Sequence, residues 1–412
     1  MEDESMVASA GADLPEVADA LTRLLDDAHL AVPDAMAEVV ARAAAALETE
    51  VVIYLAEYDQ RHLVRLSEGV ELEADKVSID GSVPGRVFRE LRPQVVERNG
   101  QRRLWMPLID GSERLGVLGL TVSDDRDVEA PQWRNAFRWF ATLTAHLLAV
   151  KQPYGDTLET TRRESPRTLA AELLWQLLPP LTFGTPGFVV SCVLEPAAQV
   201  AGDAFDYAVS STTATMAILD GTGHDLTAGL VTSVAVAAGR NGRRNGAGLE
   251  ERVRMIDDAI SSQFQHERFV TAVHAELDRS SGVLRYVNSG HPAPLLIRRG
   301  KVVKRLAEGR RPLLGLGHAH LTVAEEQLQP GDWLVFYTDG VTEARDPTGA
   351  VFGEARLVDF LERAVAADQP PPETLRRLVQ DILVHQNDVL QDDATVLLAQ
   401  WRTGAEAVFY GD

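Results

Sequence analysis

Apolar residues recur at three- and four-residue spacing from Leu14 to about Ala46, which predicts a helical start to the folded chain. Val51–Gly69 then carries β-rich runs split by polar residues, the pattern of a strand pair. Gly81–Val96 reads as a turn and a short helix. Arg103–Val122 reads as a hairpin around Asp110–Gly111, a dipeptide suited to positive φ. Ala130–Lys151 has no proline or glycine after Pro131 and predicts a long amphipathic helix, with Phe137, Phe140, Leu143, Leu147 and Val150 along one stripe. That stripe either packs on its own domain or pairs with a second copy.

Gln152–Pro166 is polar, contains Pro153, Gly155 and Pro166, and predicts a linker. Helical spacing returns over Arg167–Pro180 and stops at a double proline. Beyond Pro186 the pattern changes to short strands, expected at Phe188–Leu194, Ala214–Leu219, Phe269–Leu277, Val283–Asn288, Pro294–Arg298, Trp333–Thr338 and Thr395–Gln400. Helices are expected at Thr227–Ala238, Leu249–Phe264, Glu354–Ala367 and Pro372–Gln386. Helices grouped in pairs between strands point to a layered α+β domain rather than alternating βαβ units.

Composition changes this picture little. Of 412 residues 45% are hydrophobic and 25% charged, an ordinary globular balance long enough for more than one domain. The formal charge of -21, from 40 basic and 61 acidic residues, argues against nucleic acid or a membrane surface as partner. The lone cysteine, Cys192, excludes an internal disulfide and any cysteine-rich metal site. The acidic N-terminus lacks the basic and apolar regions of a secretory signal, and no run reaches membrane-spanning length, so a cytoplasmic protein is expected.

Aspartates at the ends of strand-like runs carry the chemistry: Asp203 in VAGDAFDY, Asp220 in AILDGTGHD, Asp339 in VFYTDGVTEARD and Asp392 in QDDATVLL. They are 17, 119 and 53 residues apart, so only tertiary folding can gather them. Oxygen ligands gathered at adjacent strand ends suit hard cations such as Mg²⁺ or Mn²⁺. Taken singly, Asp-Gly is more often a turn.

The blocks VAGDAFDY, LDGTGHDLTAG, RFVTAVHAELD, YVNSGHPAPLLI, LQPGDWLVFYTDGVTEARD and DDATVLLA occur in this order over the second half of the chain. In this the segment resembles the metal-dependent protein phosphatases (protein phosphatase 2C-like), in their bacterial sporulation stage II E branch. The resemblance implies a β-sandwich flanked by helix pairs and a serine/threonine phosphatase using a pair of Mn²⁺ or Mg²⁺ ions. Asp220 would bridge both ions, the Gly221 carbonyl would add a backbone oxygen, and Asp203, Asp339 and Asp392 would complete the shell, with Asp393 as the alternative to Asp392. It also implies a phosphorylated anti-anti-sigma (STAS) substrate in a partner-switching, sigma-factor pathway, and a homodimer. Thr222 stands where the eukaryotic relatives carry a histidine after the Asp-Gly. His224 is then the nearest imidazole for leaving-group work, against a bland role capping the next helix. His291 reads first as a turn or packing histidine, and Asp206 as a supporting or surface acid. A catalytically weak or inactive partner-binding regulator is the rival reading.

The first half resembles a GAF sensory domain, an α/β/α sensor, through its helix, strand pair, GSVPGRVFRELRPQVV, the MPLIDGSERLGVLGL hairpin and the long exit helix. Trp105, Tyr54 and Trp133 either line a small-molecule pocket or belong to the core. The expected organisation is a disordered acidic tail (1–13), the GAF-like domain (14–151), linker and connecting helix (152–180), the phosphatase domain (181–403) and a C-terminal tail (404–412).

Overall fold

The computed structural model describes residues 15–67, 75–98, 100–123, 126–163, 166–195, 202–223, 226–317 and 320–410. The acidic tail at 1–13 and His224 lie outside the described residues. The chain divides into two compact units, with the boundary between Pro166 and Arg167.

The first unit contains α1 (Pro15–His29), α2 (Met36–Ala44), β1 (Glu50–Ala56), β2 (His62–Arg65), β3 (Lys76–Ser78), α3 (Val83–Glu90), β4 (Gln94–Arg98), β5 (Gln101–Asp110), β6 (Glu113–Val122), α4 (Pro131–Lys151) and α5 (Thr157–Thr161). Its strands form one antiparallel sheet in the order β3-β2-β1-β6-β5-β4. Alternation along the strands supplies both faces. Ile53, Leu55, Met106 and Leu118 pack against Leu24, Val40, Phe137 and Phe140 of α1, α2 and α4. Tyr54, Trp105 and Val117 face Val87 and Phe88 of α3.

The start of α3 is set locally: Ser82 caps the Gly85 N–H at 3.0 Å, and Gly85 lacks the Cβ that would stand 2.0 Å from the Ile79 carbonyl oxygen. Phe137 and Phe140 of the α4 stripe are buried against the unit's own sheet, while Trp139 and Val150 are exposed. Residues 152–163, expected as linker, carry α5 instead. Leu158 is buried, and the Arg162 Nε donates to the Ala56 carbonyl at 3.1 Å.

The second unit opens with α6 (Leu169–Leu177), β7 (Thr182–Thr185), β8 (Phe188–Glu195), β9 (Asp203–Val209) and β10 (Thr213–Gly221). There follow α7 (Leu226–Arg244), α8 (Leu249–Phe264), β11 (Val270–Asp278), β12 (Val283–Ser289), β13 (Leu295–Arg298), β14 (Lys301–Arg305), β15 (Arg310–Arg311), β16 (Ala324–Gln327) and β17 (Trp333–Tyr337). The chain continues through α9 (Asp339–Thr342), α10 (Gly353–Ala366), α11 (Pro371–His385) and β18 (Ala394–Trp401). One sheet runs β15-β12-β11-β10-β9 with β16 on β12, the other β14-β13-β17-β18-β8-β7.

The sheets stack face to face over Phe205, Met216, Ile218, Val273, Leu334, Phe336, Leu397 and Cys192. On the outer face of the first sheet, Ala204, Leu219 and Ala272 meet Val231, Ala235, Ile256 and Ile260 of α7 and α8. On the outer face of the second, Val335, Val396 and Leu398 meet Leu357, Leu378 and Ile382 of α10 and α11. This is the layered α+β arrangement that the pattern predicts, in the form the resemblance implies, a sandwich with flanking helix pairs. No helix among the described residues is long and apolar enough to cross a membrane.

Candidate metal centre

The inward rows of the sandwich change character at one end. Along β9 the row runs Phe205 to Asp203, and along β10 it runs Met216, Ile218, Asp220. Side chains alternate with a period of two, so the aspartates continue the apolar rows that bury the middle of each strand. Asp203 lies directly opposite Asp220, and Asp220 directly opposite Thr271 of β11. Direct cross-strand partners have Cβ atoms about 4.5–5.5 Å apart. The facing sheet contributes Thr338 and Asp339 just after β17, and Asp392 and Asp393 just before β18.

The sequence pattern expected each aspartate to follow its strand. Asp203, Asp392 and Asp393 in fact precede or open theirs, because antiparallel pairing sets the start of one strand beside the end of the next. The strand β9 itself was absent from the sequence expectation; Asp203–Val209 carries the alternation on which it could have been found.

Hydrogen bonds lock the ends together. Asp393 Oδ2 accepts from the Gly202 N–H at 2.9 Å and from the Asp203 N–H at 3.4 Å. Thr338 donates its hydroxyl to Asp203 Oδ2 at 2.8 Å and accepts from the Thr395 N–H at 3.1 Å. Asp392 Oδ1 accepts from the Asp393 N–H at 2.9 Å. Two glycines permit the close approach: a Cβ on Gly340 would stand 2.0 Å from the Asp393 carbonyl oxygen, and one on Gly202 would stand 2.7 Å from the Gly221 carbonyl oxygen.

Burial lifts the Asp203 carboxyl well above the usual carboxylate range, and the Asp220 and Asp393 charges push it further, against hydrogen bonds from Thr395 and Thr338. Burial likewise raises Asp220 to about 7, with Asp339, Asp392 and Asp393 adding to the rise and Thr271 opposing it. Asp220 is thus close to Asp339, Asp392 and Asp393, and Asp203 to Asp220 and Asp393. As they stand, no three His, Cys, Asp or Glu side chains among the described residues are arranged to hold a metal ion. The donors are oxygen only, and buried carboxylates that repel one another call for a neutralising cation or protons, so the donor chemistry fits a hard divalent ion. Gly202 leaves the space beside the Gly221 carbonyl free of a side chain.

Thr222, in the place of the eukaryotic histidine, is used structurally: its hydroxyl donates to the Phe269 carbonyl, and the Phe269 N–H returns a bond at 3.2 Å. Asp206 points to the opposite face from Asp203, where the Arg240 Nε and Arg243 both reach it at 2.8 Å. His291 is 1% exposed and stands near the acids, a placement its sequence block alone did not predict. In the first unit, Tyr54 and Trp105 lie 5.9 Å apart beneath α3, whereas Trp133 stacks on Phe137 on the other side of the sheet.

The sequence profile of the stage II sporulation protein E family matches residues 210–402. Protein IcfG of Synechocystis is 31% identical over 152 residues, covering 36% of this chain and 23% of that protein. The phosphoserine phosphatase RsbU of Bacillus subtilis is 20% identical over 210 residues, 51% of this chain and 62% of RsbU. The chain thus spans less than two thirds of the length of these curated relatives. The solved RsbU and RsbW domains of Rv1364c from Mycobacterium tuberculosis superimpose on 53% of this chain and 62% of that one, with 28% identity and a TM-score of 0.44.

Proposed function

Because residues 210–402 form a domain of the stage II sporulation protein E family, of the protein phosphatase 2C type, we propose that this chain is a metal-dependent serine/threonine phosphoprotein phosphatase. The observation that carries the reading is the convergence of Asp203, Asp220, Asp339, Asp392 and Asp393 at one end of the sandwich, close enough to raise the Asp203 and Asp220 carboxyls. Asp203, Asp220, Asp339, Asp392 and the Gly221 carbonyl would hold Mn²⁺ or Mg²⁺. Asp393 is already committed to the Gly202 and Asp203 N–H groups, which favours Asp392 of the pair. A bound pair of such ions supplies acidified water and charge neutralisation at a phosphoryl group. The protein's own part is to hold these carboxylates rigidly: Thr338 orients Asp203, and Gly340 brings Asp339 against the start of β18. His224 is assigned the leaving-group proton.

The substrate we infer is a phosphorylated STAS-type protein, in keeping with the kinship to a phosphoserine phosphatase named RsbU. The first unit is read as a GAF-like sensor of a small molecule, the whole as a cytoplasmic homodimer. Hydrolysis of an aryl phosphate with and without Mn²⁺ tests the reading. Turnover that requires Mn²⁺ and is lost in Asp220→Asn and Asp339→Asn is expected. No Mn²⁺-dependent turnover in the wild type would instead favour a partner-binding regulator, the reading that Thr222 in place of a histidine suggests.

A further inference from the structure

His291 sits in the loop after β12, fully inside the protein. Its Nε2 is 3.1 Å from the Tyr337 carbonyl oxygen, and its Nδ1 is 2.7 Å from the Thr271 hydroxyl. A carbonyl only accepts, so Nε2 carries the hydrogen. Burial holds the imidazole neutral, with a pKa lowered to about 3. In the neutral ring Nδ1 is then an acceptor, and the Thr271 hydroxyl donates to it. The loop is fixed in turn by Asn288, which accepts the His291 N–H at 2.8 Å and donates to its carbonyl at 3.0 Å.

These contacts span the two sheets. Thr271 is the cross-strand partner of Asp220 in the first sheet, so the strand position that His291 holds through the Thr271 hydroxyl stands directly beside that carboxyl. Tyr337 ends β17 in the second sheet, two residues before Asp339. We propose that His291 is a positioning residue for the metal centre, setting the separation of Asp220 and Asp339 by bridging Thr271 to the Tyr337 carbonyl. The inference rests on the reading of the acid end as a metal site. His291 touches neither metal nor substrate. It acts as a strut: the ring is rigid, has one donor and one acceptor at fixed spacing, and its donor meets the Tyr337 carbonyl at the point where β17 gives way to α9.

The test is calorimetric titration of Mn²⁺ into the full chain, with circular dichroism to establish folding. Partners of metal ligands commonly change affinity by about 10–100-fold when removed. Thr271→Val keeps the shape of the side chain and loses only the hydroxyl; it should weaken Mn²⁺ binding about tenfold or more, as should His291→Leu. His291→Gln retains one donor and one acceptor and should stay within about threefold of wild type. The double variant T271V/H291L should be no weaker than the poorer single one, since both break the same bridge. Folded Thr271→Val protein with unchanged Mn²⁺ affinity overturns the proposal, as does His291→Gln losing as much as His291→Leu. A wild type that takes up no Mn²⁺ overturns the metal-site reading itself and this inference with it.

Discussion

Asp392 and Asp393 are neighbours with opposite surroundings. Asp392 is exposed, whereas Asp393 is 2% exposed and accepts two backbone N–H groups of the Gly202–Asp203 segment. An asparagine at 393 can still present an oxygen to those donors, so Asp393→Asn should keep Mn²⁺-dependent hydrolysis within a few-fold. Asp392→Asn removes a charge from the proposed metal shell and should cost roughly a hundredfold or more, as losing several kcal/mol of electrostatic stabilisation implies. Steady-state assays of the two variants side by side decide between them. Gly340 offers a second check. Its missing Cβ would lie 2.0 Å from a backbone oxygen that cannot swing away, so Gly340→Ala should lower stability by about 1–3 kcal/mol in urea unfolding and abolish turnover.

Helix α7 begins five residues after Gly221, so its seating on the sheet bears on the acid end. Its last turns are pinned by Asp206, a 7% exposed side chain held by Arg240 and Arg243. Removing one partner of a mostly buried ion pair leaves charge without compensation, which commonly costs 3–5 kcal/mol when burial is complete. The arginines here are about a fifth exposed, so roughly 2–3 kcal/mol is expected for Asp206→Ala. Hydrogen exchange should show the α7 amides opening faster while those of β17 and β18 keep wild-type protection. Equal acceleration in both would mean that Asp206 supports the whole unit rather than this helix.

Across the whole second unit, pH dependence has opposing contributors. Burial lowers His274 to about 3, with Arg252, Arg311 and His291 adding to the drop. Below the ordinary value of 6.5 the unfolded chain takes up a proton that the folded one refuses. The stability contributed by the neutral His274 is therefore complete above pH 6.5 and is lost as pH falls toward 3. Asp203 and Asp220, raised in the fold, work in the opposite sense: they favour the fold at low pH and lose that contribution as pH rises, Asp220 as pH approaches about 7. Wild-type stability is consequently a poor readout, and the difference between His274→Phe and wild type isolates the histidine. That difference should move in favour of the variant by up to about 1.4 kcal/mol per pH unit below 6.5 and stay flat above it, measured by urea unfolding.

Much of this was readable along the chain. Short continuous apolar runs such as Phe188–Leu194 and the long uninterrupted pattern of Ala130–Lys151 identify their elements because local geometry and burial ask for the same residues. The family blocks likewise name Asp203, Asp220, Asp339 and the 392–393 pair, since oxygen donors beside glycines keep a recognisable local spelling. Folding alone decided which acid faces out and which is consumed by backbone donors, because Asp392 and Asp393 differ only in what lies across from them. It also turned Asp206 away from Asp203, three residues and therefore one face apart, and it brought His291 between Thr271 and Tyr337. Contacts across 20 and 46 residues leave no local trace, for they depend on how the sheets stack and not on any neighbour in the chain.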